Sequence, residues 1–83
     1  MTTTFVVDAV HRVAARPWLL LTGRLLEGSL AKGDSVTVQN DGKPDTATEV
    51  AVVEFHSPPG TTTIGVPESA ADHVTVGTRL TRA

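Results

Sequence analysis

Three histidines, His11, His56 and His73, are the side chains best suited to proton transfer or metal ligation near neutral pH. They lie far apart in the chain, none pairs with another at metal-ligand spacing, and no cysteine supplements them. No serine stands in a G-x-S-x-G elbow, and no short motif pairs two carboxylates for acid–base work. No G-x-x-x-x-G-K-[ST] loop offers its backbone to nucleotide phosphates. The residues therefore predict neither an enzyme nor a metal, nucleotide or other cofactor site.

The seven basic residues, Arg12, Arg16, Arg24, Lys32, Lys43, Arg79 and Arg82, are scattered, and the formal charge is −2. Tight binding to nucleic acid relies on several cations releasing counterions together, which this distribution does not favour. What stands out instead is Trp18-Leu19-Leu20-Leu21-Thr22-Gly23-Arg24-Leu25-Leu26, apolar on both faces if extended. With Leu19, Leu21 and Leu25 turned inward, Trp18, Leu20 and Leu26 turn outward, with Thr22 and Arg24 between them. An outward apolar stripe containing tryptophan is the composition of a contact surface. The competing reading buries Leu26 through a bulge at Gly23 and covers Trp18 with a loop.

The elements that must carry these residues are strands. At 83 residues there is room for one domain, spanning 1–83. Valine-rich and threonine-rich segments alternate with glycine and proline turns at short spacing, the pattern of a barrel or sandwich. The first strand is expected over Phe5 to Val13, interrupted by Ala14-Ala15-Arg16-Pro17, and the second over Trp18 to Glu27. Two reversals, at Gly28 and at Lys32-Gly33-Asp34, precede a third strand beginning at Ser35, in which Val36 and Val38 share a face. After an exposed loop centred on Asp41-Gly42, one long fourth strand is expected over Thr46 to Phe55, stopped by Ser57-Pro58-Pro59-Gly60. A fifth follows over Thr61 to Val66, then a single helical turn from Pro67 to Asp72, and a closing strand over Val74 to Leu80 broken by Gly77. The N-terminal residues lack the basic start and apolar stretch of a secretory signal, and the apolar run Trp18 to Leu21 is far short of the ~20 residues of a membrane span. A soluble, cytoplasmic protein is the expectation.

The stretch Thr22-Gly23-Arg24-Leu25-Leu26-Glu27-Gly28-Ser29-Leu30-Ala31-Lys32-Gly33-Asp34-Ser35-Val36 resembles the central motif of the second, barrel domain of elongation factor Tu and related translational GTPases. That family marks two successive strands and their connection with a Gly-Arg pair, a further Gly and a Gly-Asp, positions filled here by Gly23, Arg24, Gly28, Gly33 and Asp34. Phe5-Val6-Val7-Asp8-Ala9-Val10 is similar to the family's opening strand, Ile64-Gly65-Val66 to a later one, and Val74 to Leu80 to its finish. The resemblance implies an all-β fold, a small closed antiparallel β-barrel of six to seven strands. It also implies a place for Glu54 in contact with RNA, although the basic residues that usually follow are replaced by His56-Ser57-Pro58-Pro59. Read by themselves, the glycines and Asp34 have structural duties: reversals at Gly28 and Gly33, a bulge or close backbone approach at Gly23, and a turn bonded by Asp34. The function expected is a non-catalytic interaction or assembly module that docks on a protein partner or on itself. The runner-up is a translation accessory with weak tRNA or ribosome contact.

Overall fold

A computed structural model of the chain describes residues 2–12, 18–54 and 59–82, except for the side chain of Ala71. Seven strands are present among them: β1 Thr3–Arg12, β2 Trp18–Glu27, β3 Ser35–Gln39, β4 Thr46–Glu49, β5 Val52–Glu54, β6 Thr62–Pro67 and β7 Arg79–Arg82. A 3-10 turn, Glu68–His73, follows β6, and no α-helix occurs among the described residues. The strands form one curled, wholly antiparallel sheet in the order β4-β3-β7-β1-β2-β6-β5.

Alternation builds the core. Phe5 and Val7 of β1, Leu19 and Leu21 of β2, Val36 and Val38 of β3, Ile64 and Val66 of β6 and Leu80 of β7 all point to the concave side and are buried. Each such side chain contributes about 1.5–3 kcal/mol relative to exposure, the main favourable source for a sheet this small. Leu30, Val50, Ala70 and Val74, from the connections, complete the cluster, and Leu25 packs partly against it, on the side expected.

The longest pairing, β1 with β2, contains two irregularities. Val7 stands opposite Gly23 and Ala9 opposite Thr22, so Asp8 has no counterpart. Thr4 stands opposite Glu27 and Phe5 opposite Leu25, which leaves Leu26 unmatched. At Gly23 the two backbones approach so closely that a Cβ would overlap the Val6 carbonyl oxygen and meet Phe5 Cζ at 3.0 Å. The close approach expected at this glycine is present, with the extra residue lying on the facing strand. Leu26 is not buried by it and remains 59% exposed.

Two expected strands need correction. The segment from Thr46 to Phe55 is not continuous: β4 pairs with β3 and β5 with β6, and the change of partner falls at Val50-Ala51. The cause lies in β3, whose ladder stops at Ser35 opposite Glu49, just after the positive φ of Gly33. Past that point Val50 bonds to the turn instead, accepting from Gly33 N–H at 2.8 Å and donating to the Asp34 carbonyl at 2.9 Å. Ala51 N–H then donates to the Gly65 carbonyl at 2.7 Å. The two edges of the sheet are thus consecutive in the chain, with the buried Val50 between them. The closing strand also begins later than expected. Gly77, at φ 94°, turns the backbone, and Thr78 caps that turn by accepting the Thr75 N–H on its hydroxyl at 2.9 Å. Only Arg79–Arg82 extends into strand. β1 starts at Thr3, two residues before the expected Phe5, while Val13 and the Ala14 to Pro17 interruption lie outside the described residues.

Candidate docking surface

The outer face of β2 carries the residues singled out for partner contact. Alternation sends Trp18, Leu20, Thr22, Arg24 and Leu26 away from the core, against the inward Leu19, Leu21 and Gly23. Neighbouring strands extend that face in rows, since residues directly opposite in an antiparallel pair share a side. One row runs His11, Leu20, Gly65, Val52; the next runs Ala9, Thr22, Thr63, Glu54. Trp18 stands opposite Pro67.

Gly65 is the hinge of the first row. A Cβ there would overlap Val52 Cγ1 and come within 3.1 Å of Trp18 Cδ1, so the indole and the valine both lie over the glycine. Trp18, Leu20 and Val52 are each half-buried and form one apolar patch spanning β2, β6 and β5. Trp18 is therefore partly covered by its own sheet neighbours.

The next rows are polar. The hydroxyls of Thr22 and Thr63 meet at 3.0 Å, and Arg24 Nε lies 3.4 Å from Asp8 Oδ2. These rows separate Leu26 from Trp18 and Leu20. The structure brings two of the three expected contact residues together and sets the third apart at the far end of the strand. Sequence reasoning missed Val52 and Gly65. Their only signal was the small residue inside the Ile64-Gly65-Val66 strand, and its partner becomes visible only once β5 is known to leave β4.

The motif residues have local duties. Gly28 and Gly33 take φ of 71° and 92° at the two reversals. Asp34 accepts the Ala31 N–H on Oδ2 at 2.7 Å and pairs through the same oxygen with Arg82 of β7. Arg82 also donates to the Thr3 hydroxyl at 3.2 Å, tying the turn, the first strand and the last.

Glu54 ends β5 on the outer face, half-buried opposite Thr63; His56, Ser57 and Pro58 after it lie outside the described residues. Three of the described arginines, Arg24, Arg79 and Arg82, each face an aspartate, Asp8, Asp41 and Asp34 respectively, and none of these pairs includes Glu54. His11 and His73 are exposed and belong to different elements, with the His73 carbonyl accepting from Asn40 Nδ2 at 2.6 Å. No group of three or more His, Cys, Asp or Glu able to hold a metal ion occurs among the described residues. None of their helices is long and apolar enough to cross a membrane.

Hollows among the described residues include a polar one and an apolar one. The polar one, of about 350 Å³, lies between Gln39, Asn40, Asp41 and Lys43 on one side and Thr75 to Arg79 on the other. Beside it Thr78 donates to Asn40 Oδ1, and Asn40 Nδ2 donates to the His73 carbonyl. The other, of about 410 Å³, is lined by Leu30, Ala31, Lys32, Val52 and Val53. No family model, curated protein or solved structure matches the chain.

Proposed function

We propose that this chain is an interaction module that works by contact and not by catalysis, docking a protein partner on the outer face of β2. The single observation behind it is the patch of Trp18, Leu20 and Val52 gathered over Gly65. Tryptophan surrounded by aliphatic side chains is the composition that carries binding energy at protein interfaces. The ionisable groups support the non-catalytic part, since three aspartates face arginines in ion pairs that tie strands and turns.

The barrel is of the translation-factor type in this reading, its β4 and β5 edges joined by the Val50-Ala51 connection and not by a ladder along β5. Support comes from the sheet's two edges being one continuous piece of chain joined at Val50-Ala51, and from glycines at the family's positions 23, 28 and 33. In the translational GTPases such a barrel lies against neighbouring domains, and in this reading the patch over Gly65 receives a protein partner in the same manner.

The test compares the wild-type chain with the Trp18→Ala/Leu20→Ser double variant as bait in extract of its own cells, with quantified capture and sedimentation of the purified chains. At least one bound protein should fall about tenfold with the double variant and persist with Leu26→Ser, while the purified chain sediments as a monomer. An unchanged set of captured proteins refutes the reading, and dimerisation lost with Trp18→Ala replaces the partner by a second copy. The translation-accessory alternative instead predicts salt-sensitive co-sedimentation with ribosomes that is indifferent to the double variant.

A further inference from the structure

The 410 Å³ cleft touches both Val52 and Val53, consecutive residues of β5. Successive side chains of a strand point to opposite faces. Here Val52 stands opposite Gly65 on the outer face, and Val53 stands opposite Ile64 and packs against the core. A cleft lined by both must run along the edge of the strand. That edge has no ladder: among the described residues β5 pairs with β6 alone and ends the sheet. Across the cleft lies the Leu30-Ala31-Lys32 connection, a non-strand segment that offers no ladder of its own.

We propose that the open edge of β5 is a strand-addition site for an extended peptide, which places an apolar side chain against Leu30 and Val53 and a carboxylate beside Lys32. An unpaired sheet edge supplies backbone donors and acceptors in register with an incoming strand, and adjacent apolar walls select its alternate side chains. Lys32 is the only charged residue of the cleft lining, which sets the sign of the partner's charge.

The size of the cleft matches a short extended segment and not the broad face of a second folded copy. Stable interfaces between folded proteins use about 20–30 residues and about 800 Å² on each side. The cleft is lined by five residues, and 800 Å² is about a sixth of the whole 4992 Å² surface. The described part of β5, Val52–Glu54, at ~3.3 Å per residue offers an edge of about 10 Å, the span of a short extended segment. The inference rests on the interaction-module reading and names the chemistry of the partner.

Titrating the whole chain with the probe peptide acetyl-Val-Thr-Val-Thr-Val-Asp, followed by amide chemical shifts, tests it. Two further peptides carry N-methyl groups on alternate amides, one on the odd residues and one on the even. A strand in an edge ladder points every second N–H at its neighbour, so one N-methylated peptide should bind like the parent and the other at least tenfold more weakly. Shifts should concentrate at residues 30–32 and 52–54. The exposed substitution Lys32→Glu should weaken the Asp-ended peptide about fivefold and favour a Lys-ended one. Equal binding of the two N-methylated peptides, shifts centred elsewhere, or no saturation at millimolar peptide overturns the inference. If the peptide fails while Trp18→Ala/Leu20→Ser still abolishes capture, the edge site falls and the module reading stands. If capture is unaffected while the peptide binds as described, the β2 face falls and the edge remains.

Discussion

Substituting Gly23 by alanine tests the closest backbone approach in the fold. The added methyl would overlap the Val6 carbonyl oxygen and press on Phe5 Cζ at 3.0 Å. Phe5 is fully buried and the carbonyl is backbone, so neither can swing aside as an exposed side-chain end would. Overpacking of this kind costs about 1–3 kcal/mol, and the rigid partner puts Gly23→Ala near about 3 kcal/mol. Loss of glycine's freedom in the unfolded chain offsets about 0.4–1 kcal/mol, leaving a net destabilisation of about 2–3 kcal/mol. A domain of this length loses about 4–8 °C in Tm for each kcal/mol, so the midpoint should fall by about 10–20 °C. Thermal unfolding followed by circular dichroism measures it, with Gly42→Ala as the ruler. Gly42 has φ 76° and a methyl placed there would meet nothing within 4 Å, so that change costs only its backbone conformation, about 1–2 kcal/mol. A Gly23→Ala midpoint equal to or above that of Gly42→Ala would show that β1 and β2 separate freely there, and the close-approach reasoning would fail.

Gly65→Ala collides with side chains rather than backbone, so it should cost less, about 1–2 kcal/mol, and shift the emission of Trp18. Removing the Val52 methyls in the same chain should recover part of that loss; strict additivity of Gly65→Ala and Val52→Ala in urea unfolding would mean the two do not meet over the sheet. Asp34→Ala should destabilise by about 1–2 kcal/mol, because it strips the acceptor from the Ala31 N–H as well as from Arg82. A double-mutant cycle with Arg82→Ala should return a coupling of about 0.5–1 kcal/mol, the size expected of a partly exposed pair, and a coupling of zero would break the tie between turn and last strand.

β2 and β3 were legible in the sequence because their signals are local. Valine alternation and flanking glycines give Ser35–Gln39, and the leucine run from Trp18 to Glu27 gives both the span and the faces of Leu19, Leu21, Trp18 and Leu20. The division of Thr46 to Phe55 was not legible, because nothing in Glu49-Val50-Ala51-Val52 breaks a strand. The exchange of partners is imposed from outside, by the point where β3 runs out at Ser35 and the Gly33–Asp34 turn takes up Val50 instead. For the same reason the contact patch was only half visible. Trp18 and Leu20 announce themselves in one run, whereas Val52 and Gly65 join them through pairings between distant segments. Likewise, Leu26 could be assigned to burial or exposure only after the register against Phe5 was known.

The last strand occupies the middle of the sheet. β7 lies between β3 and β1, with β4-β3 on one side and β1-β2-β6-β5 on the other. A chain still emerging from synthesis holds two fragments of sheet that cannot be zipped together until Arg79–Arg82 arrives. Until then β1 and β3 each present a raw edge, the kind of surface on which nascent chains stick to one another. Cutting off those final residues removes more than a short strand: it leaves the two fragments without their shared neighbour, and the remainder should collect in the insoluble fraction.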